Sequence, residues 1–133
     1  MSQYLLDTNI LSAVIRDPRG PIAGRIARAG QGTICTSIIV AAELRFGEIK
    51  RASPRLMVRV AELLDRLDVL AFEAPANATY ADLRARLERA GTPIGANDML
   101  IAAHALALDA TLVTANDREF SRIPQLRIEN WLR

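Results

Sequence analysis

Short apolar runs alternate with longer helical patterns along the chain, and this alternation restricts the possible folds more than any other feature. Each short run has the length and composition of a buried strand. Strands that are separated by helices pair in parallel and are joined by right-handed crossovers. The sequence therefore predicts a three-layer α/β domain with about five mainly parallel strands flanked by helices. The predicted strands are residues 3–7, 33–36, 68–72, 111–114 and 126–130.

The segments between these strands carry apolar residues at the three- and four-residue spacing of a helix. Several have typical boundary residues: Ser37 precedes one helix, Pro54 begins another and Gly91 follows a third. The predicted helices are residues 8–15, 22–29, 38 to about 52, 54 to about 67, 77–90 and 97–108, with a short turn or helix at 117–121.

The composition suits one domain with a sizeable core. The chain has 133 residues, 50% of them hydrophobic, and no linker or repeat divides it, so we expect residues 1–133 to form a single domain. Cys35 is the only cysteine, which excludes an intrachain disulfide and fits a reducing cytosol. Asp7 interrupts the N-terminal apolar run, and no run approaches the roughly 18 residues of a membrane span. We therefore expect a cytoplasmic protein.

Four acidic residues stand where a carboxylate needs an explanation. Asp7 and Asp117 follow predicted strands, at the carboxyl ends where α/β sheets form their functional crevice. Glu43 and Asp98 lie on helix faces that we expect to pack inward, and an unpaired carboxylate is costly to bury. Each has a structural alternative: the three aspartates could cap helices (for Asp98, Asn97 could do so instead), and Glu43 could reach water at the edge of its helix.

The set of four points to a shared site. Carboxylates that lie close together cannot all remain ionised unless a positive charge neutralises them. Mg²⁺ or Mn²⁺ is the natural partner, because these hard cations prefer oxygen ligands and can promote hydrolysis of a phosphate ester. His104 is the only histidine, which excludes a two-histidine ribonuclease and a histidine-rich zinc site. We expect His104 to be a packing or surface residue.

Four sequence blocks follow one another in the order and spacing of a known family. They are YLLDTNILS around Asp7, SIIVAAELRFGEIK around Glu43, IGANDMLIAAHALA around Asp98, and TLVTANDREFSRIPQLRIENW near the end of the chain. These blocks resemble the PIN-domain ribonucleases, specifically the VapC-type toxins of bacterial toxin–antitoxin pairs. The chain departs from the family pattern at Ala115, where many relatives have a polar residue, and at Gln125, near which many have glycine.

The resemblance implies a metal-dependent endoribonuclease. Asp7, Glu43 and Asp98 would hold Mg²⁺ or Mn²⁺, directly or through water, so that water attacks an RNA phosphodiester. The fourth acid is open between two neighbours: Asn116 stands where the motif usually has an amide, and Asp117, which we assign to the site, supplies a carboxylate one residue later. The polar residues expected to hydrogen-bond to the ligands or to water are Thr8, Asn9, Thr114 and Asn116.

The same resemblance implies macromolecular partners. The substrate would be a structured RNA such as tRNA or ribosomal RNA, a VapB-type antitoxin would enter the acidic cleft, and a homodimer is expected. Because an acidic cleft repels the RNA backbone, basic residues are needed on its rim. The candidates are Arg45, Lys50, Arg51, Arg84, Arg86 and Arg89, although nearby acids such as Glu48 and Glu88 equally suit ordinary solvated helix faces.

Two other functions fit part of the sequence. A haloacid-dehalogenase-type phosphohydrolase also begins with a strand-end aspartate, but it needs a second aspartate where this chain has Asn9. It also needs a later lysine, whereas Lys50 lies on the helix of Glu43. A non-catalytic scaffold of the same fold would not need three site carboxylates, and it should not bind Mn²⁺.

Overall fold

The described part of the chain forms one parallel sheet. A computed structural model describes residues 3–30 and 32–132. Its five strands run parallel in the order β3-β2-β1-β4-β5, which confirms the prediction of a parallel α/β sheet flanked by helices. The strands are β1 (Tyr4–Leu6), β2 (Ile34–Ser37), β3 (Asp68–Leu70), β4 (Thr111–Val113) and β5 (Ile128–Glu129).

Helices occupy the connections between successive strands. Ser37 caps α3 by accepting a hydrogen bond from the backbone N–H of Ile39 at 3.0 Å, and Gly91 ends α5 with a left-handed φ of 70°. Within the described residues, no helix combines the length and the apolarity needed to cross a bilayer. The helices are α1 (Thr8–Arg16), α2 (Pro21–Ala29), α3 (Ile38–Arg51), α4 (Pro54–Asp65), α5 (Ala76–Ala90), α6 (Ala96–Leu108) and α7 (Asp117–Phe120).

The core is centred on the two middle strands. Leu5 and Leu6 of β1 and Leu112 and Val113 of β4 are fully buried. Consecutive residues of a strand point to opposite faces of the sheet, so their joint burial means that both faces are covered. This rigid centre supports the loops that follow β1 and β4.

The strand order reverses beside β1, and this reversal positions the site. The chain moves from β1 outward to β2 and β3, and it then returns to β4 on the other side of β1. Leu6 pairs with Val113, and the backbone N–H of Asp7 donates to the carbonyl oxygen of Val113 at 2.9 Å. Such a reversal opens a crevice at the carboxyl ends of the strands. The residues that follow β1 and β4 therefore lie side by side.

One strand boundary and one helix face differ from the sequence expectation, and one structural alternative is excluded. The fifth strand is Ile128–Glu129 rather than 126–130, because Leu126 belongs to a turn that closes on Ile123. Gly95 occupies the N-cap of α6, so neither Asn97 nor Asp98 caps this helix. We expected the face of α3 that carries Glu43 to pack inward, but Phe46, three residues further along on that face, is 65% exposed.

Leu112→Ala should lower the free energy of unfolding by about 2–5 kcal/mol, because it leaves a cavity in a fully buried strand. Urea denaturation measures the change. Leu132→Ala is the matched control, since Leu132 is 47% exposed and its truncation should cost no more than about 0.5 kcal/mol. Equal losses in the two variants would contradict the position of the core.

Candidate active site

Asp7 lies where β1 ends and α1 begins, and it is only 3% exposed. Its Oδ1 accepts a hydrogen bond from the backbone N–H of Thr8 at 2.8 Å, and its Oδ2 accepts one from the hydroxyl of Thr114 at 2.8 Å. The first bond makes Asp7 the N-cap of α1. Asp7 therefore caps a helix and stands in the crevice at the same time, so the two explanations of this residue are compatible.

Glu43 is half-buried on α3 and is connected to Asp7 through a single residue. Its Oε1 accepts a hydrogen bond from the hydroxyl of Thr8, whose backbone N–H binds Asp7. Its Oε2 accepts one from the side-chain amide of Asn97 at 3.3 Å. Thr8 thus holds both carboxylates, that of Asp7 with its backbone N–H and that of Glu43 with its hydroxyl.

Asp98 is connected to a second carboxylate, that of Glu119 on α7. The side-chain amide of Asn116 donates to Oδ2 of Asp98 at 3.3 Å and to Oε2 of Glu119 at 3.1 Å. The backbone N–H of Gly95 donates to Oε1 of Glu119 at 2.6 Å. Glu119 is therefore bound at the N-terminus of α6, where unpaired N–H groups and the helix dipole favour an anion.

The loop after β4 is fastened to the start of α1. Oδ1 of Asn9 accepts a hydrogen bond from the backbone N–H of Ala115 at 3.0 Å. The hydroxyl oxygen of Thr114 accepts one from the backbone N–H of Asn116 at 3.0 Å. Ala115 therefore contributes through its main chain, which any residue at this position can do.

Burial and the charges of neighbouring acids raise the pKa of both aspartates. Burial raises the pKa of Asp7, with smaller increases from the charges of Glu43 and Glu119, against the hydrogen bonds from Thr114 and Thr8. Burial is also the largest cause that raises the pKa of Asp98 to about 7, and the charges of Asp7, Glu119 and Glu43 raise it further.

Glu119 responds in the opposite direction. Its pKa is lowered, principally by the hydrogen bond from the N–H of Gly95, with further help from the amide of Asn116 and the charge of Arg122. Asp98 and Glu119 are hydrogen-bonded to each other. Glu119 is therefore ionised at neutral pH, whereas Asp98 is only partly ionised there.

This donor set fits a partly hydrated divalent cation. Among residues 3–30 and 32–132, no three acidic, histidine or cysteine side chains are arranged to hold an ion directly. Mg²⁺ is commonly held through one or two carboxylates and keeps several waters, so direct contact with three side chains is not required. Burial is the largest cause of the raised pKa values of Asp7 and Asp98, and the charges of their acidic neighbours add a repulsion that a cation would relieve.

The structure brings Asp7, Glu43 and Asp98 together as the sequence predicted, and it adds a carboxylate that the prediction had not included. Glu119 contributes its charge to both aspartates, whereas Asp117 begins α7 and its carbonyl oxygen accepts from Ser121 at 2.9 Å. The available signal was the three-residue spacing from Asn116 to Glu119, which places both side chains on one face of a helical turn.

His104 packs away from the carboxylates, as expected for a packing residue. It is 2% exposed, its Nδ1 lies 2.8 Å from the hydroxyl of Ser37, and its ring meets Phe72 edge-on. Burial lowers its pKa, in spite of the hydrogen bond with the backbone of Ala71. Because Ser37 caps α3, His104 supports the helix that carries Glu43.

The metal-free protein should lose stability as the pH rises from about 4 to 7. Unfolded Asp98 releases its proton near its ordinary pKa of 3.8, whereas folded Asp98 retains it until about pH 7. The folded state therefore binds more protons across this window, and the free energy of unfolding falls as they are released. Thermal unfolding in EDTA at several pH values measures this.

Asp98→Asn should show a smaller decrease, with the remainder due to Asp7, whose pKa is also raised. Mg²⁺ should restore stability at pH 7 in the wild-type protein more than in this variant, because the cation replaces the lost proton. A wild-type melting temperature that rises between pH 4 and 7 in EDTA would contradict the assigned crowding.

Comparison with known proteins agrees with the fold. A model of the PIN domain family matches residues 4–126. A Rickettsia felis protein named Ribonuclease VapC2 is 42% identical over 130 residues, which cover 96% of this chain and 97% of that protein. The tRNA(fMet)-specific endonuclease VapC of Shigella flexneri is 36% identical over 132 residues, which cover 98% and 99%.

A solved structure extends this agreement to three dimensions. The DNA-bound VapBC structure from Salmonella typhimurium aligns with a TM-score of 0.90 and 37% identity, covering 98% of this chain and 99% of that one. PIN-domain ribonucleases in general use divalent metal ions. The chain therefore belongs to the PIN-domain family and, within it, to the VapC ribonucleases.

Proposed function

We propose that this chain is a metal-dependent endoribonuclease toxin, folded as a single PIN domain, that hydrolyses phosphodiester bonds in structured RNA. One observation carries the proposal: hydrogen bonds through Thr8, Thr114 and Asn116 hold the carboxylates of Asp7, Glu43, Asp98 and Glu119 at the carboxyl ends of β1 and β4. There, burial raises the pKa of Asp7 and Asp98, and the charges of the neighbouring acids raise it further. A divalent cation that relieves this repulsion is also the cation that phosphodiester hydrolysis requires.

These carboxylates would hold Mg²⁺ or Mn²⁺, in part through water. When bound, the cation would lower the pKa of water and stabilise the negative charge that develops on the phosphate. Asp7, Glu43 and Asp98 are the principal candidates for holding it, and Glu119 is the candidate for the fourth acid. Oxygen donors of this kind suit both cations.

The surrounding residues would keep the acids in place before RNA arrives. Thr8 and Thr114 occupy both oxygens of Asp7, while Asn116 bridges Asp98 and Glu119. Groups that are already oriented need no rearrangement during the reaction, which is how an active site gains from its electrostatics. His104 takes no part in proton transfer, since it is buried against Ser37 and Phe72.

Transfer RNA is the substrate class that we propose, because the relative from Shigella flexneri is named a tRNA(fMet)-specific endonuclease. The reaction would take place in the cytoplasm, where this RNA is found. Arg51 is the best placed of the basic residues that we considered, since it lines a groove together with Glu43. Arg84 and Arg86 are already ion-paired with acids of their own helix at 3.5 and 3.2 Å.

Similarity to VapBC structures supports a protein partner. We propose that a VapB-type antitoxin inhibits this chain by inserting a tail into the acidic cleft. A basic group on such a tail would compete with the cation for the same carboxylates. We also propose that the chain forms a homodimer.

Asp98→Asn should reduce cleavage of total bacterial RNA by more than about 100-fold, because it keeps the shape of a carboxylate but removes its charge. Cleavage by purified protein is measured with Mg²⁺, with Mn²⁺ and with EDTA, and EDTA should abolish the discrete fragments. Asp65→Asn, on the exposed face of α4, is the matched control and should cleave as the wild type does. Activity that survives EDTA or Asp98→Asn would overturn the proposal.

Glu119→Gln and Asp117→Asn should separate the two candidates for the fourth acid. We expect Glu119→Gln to lower the rate by about 10–100-fold and to weaken Mn²⁺ binding, since its carboxylate acts on Asp7 and Asp98. We expect Asp117→Asn to change the rate by less than about threefold. A larger effect of Asp117→Asn than of Glu119→Gln would identify Asp117 as the fourth acid of the site.

A further inference from the structure

A second groove adjoins the carboxylate site. It has a volume of about 220 Å³ and lies between α1, α3 and α4; we call it the α3 groove. Thr8 and Glu43 belong both to its wall and to the active site. The remaining wall is largely apolar, with two arginines. It is formed by Ser12, Ile15, Arg16, Leu44, Gly47, Glu48, Arg51, Leu56 and Val60.

Glu48 is a buried acid of this wall that has no role in the active site. Its side chain is 4% exposed, and its Oε1 accepts from the guanidinium of Arg45 at 3.3 Å. Its Oε2 is buried and has no hydrogen-bond partner among the described residues. A carboxylate oxygen withdrawn from water without a donor is unfavourable. The catalytic arrangement of Asp7, Glu43, Asp98 and Glu119 does not use Glu48, so a ligand is the natural source of the missing donor.

Two arginines of the α3 groove suit a ligand with phosphates. Arg16 and Arg51 are both exposed and belong to different helices, α1 and α3. Arginine binds phosphate with two parallel hydrogen bonds.

We propose that the α3 groove holds the RNA base next to the cleaved phosphodiester, and that Glu48 selects a base with an exocyclic amino group. This inference rests on the proposed function, since the groove shares Thr8 and Glu43 with the catalytic site. The apolar wall receives the faces of the base, while Arg16 and Arg51 bind the adjoining phosphates. Single-stranded RNA is commonly read in this way, by stacking and by hydrogen bonds to exposed base edges.

The acceptor chemistry of Glu48 determines which bases fit. An ionised carboxylate only accepts hydrogen bonds. Guanine, adenine and cytosine each present an amino group at the Watson–Crick edge, and acidic side chains accept from such groups. Uracil has no amino group there: its single N3–H lies between two carbonyl oxygens, which repel a carboxylate that approaches it. The groove should therefore discriminate against uracil.

The test compares binding of oligocytidylate and oligouridylate of equal length, measured by fluorescence anisotropy in Mg²⁺. Asp98→Asn is used so that the RNA stays intact. This variant should bind oligocytidylate about tenfold more tightly than oligouridylate, which is the order of discrimination from one good base contact. Adding Glu48→Gln should remove most of that difference, because an amide can also donate to a carbonyl oxygen. Glu62→Gln, on the exposed side of α4, is the matched control and should leave the difference unchanged.

Gly47→Leu provides a second variant that does not disturb Glu48. A Cβ at Gly47 would have no atom within 4 Å, and leucine favours a helix more than glycine does. The added side chain should occupy the α3 groove, weaken binding of both RNAs by about tenfold and leave the melting temperature unchanged or higher.

Equal binding of the two RNAs by Asp98→Asn would overturn the inference, as would a cytidine preference that survives both groove variants. If the groove holds a protein segment instead, RNA binds elsewhere, and neither groove variant should change its base preference. In either case metal-dependent cleavage by the wild-type protein would leave the proposed function standing. Wild-type protein that cleaves no RNA would overturn both.

Discussion

Repulsion among carboxylates at one edge of the sheet is the constraint on which the rest of the site depends. Asp7 is nearly inaccessible to water, and Asp98 is pushed to a pKa of about 7 by burial and by its acidic neighbours. Without a cation the fold must keep protons on these groups or accept their repulsion. The arrangement therefore costs stability in the empty protein and gains it when a cation binds, which is typical of a site built for function.

The polar residues beside the carboxylates hold them in place in spite of their repulsion. Thr8 binds Asp7 with its backbone and Glu43 with its hydroxyl, so one residue orients acids from β1 and α3. Asn116 does the same for Asp98 and Glu119. Each acid is thus fixed by a neutral donor, which positions the carboxylate without supplying the charge that only a cation provides.

Local patterns in the sequence were sufficient to predict the order of the elements and to single out three of the acids. Asp7 follows a short apolar strand, and Asp98 stands in an apolar helix, so each was conspicuous without a structure. Glu119 was not conspicuous in the sequence, because it is positioned by a hydrogen bond from the backbone N–H of Gly95, which connects α7 to the start of α6.

The same limit applies to residues whose burial is decided by tertiary packing. Glu48 resembled an ordinary solvated acid on α3, and only the packing of α1 and α4 against that helix buries it. Phe46 lies on the face of α3 that was expected to pack inward, yet it is exposed, so its environment was also decided by tertiary packing. Spacing along one helix indicates which residues share a face, but it does not indicate which face the neighbouring helices cover.

The most direct test of the central claim is the pKa of Asp98, measured by NMR titration of its side-chain carboxyl carbon with and without Mg²⁺. A value near 7 in the metal-free protein, which falls when Mg²⁺ is added, is the result that the structure predicts. A value close to 3.8 that does not respond to Mg²⁺ would contradict it, because Asp98 would then be neither crowded by the other acids nor close to a bound cation.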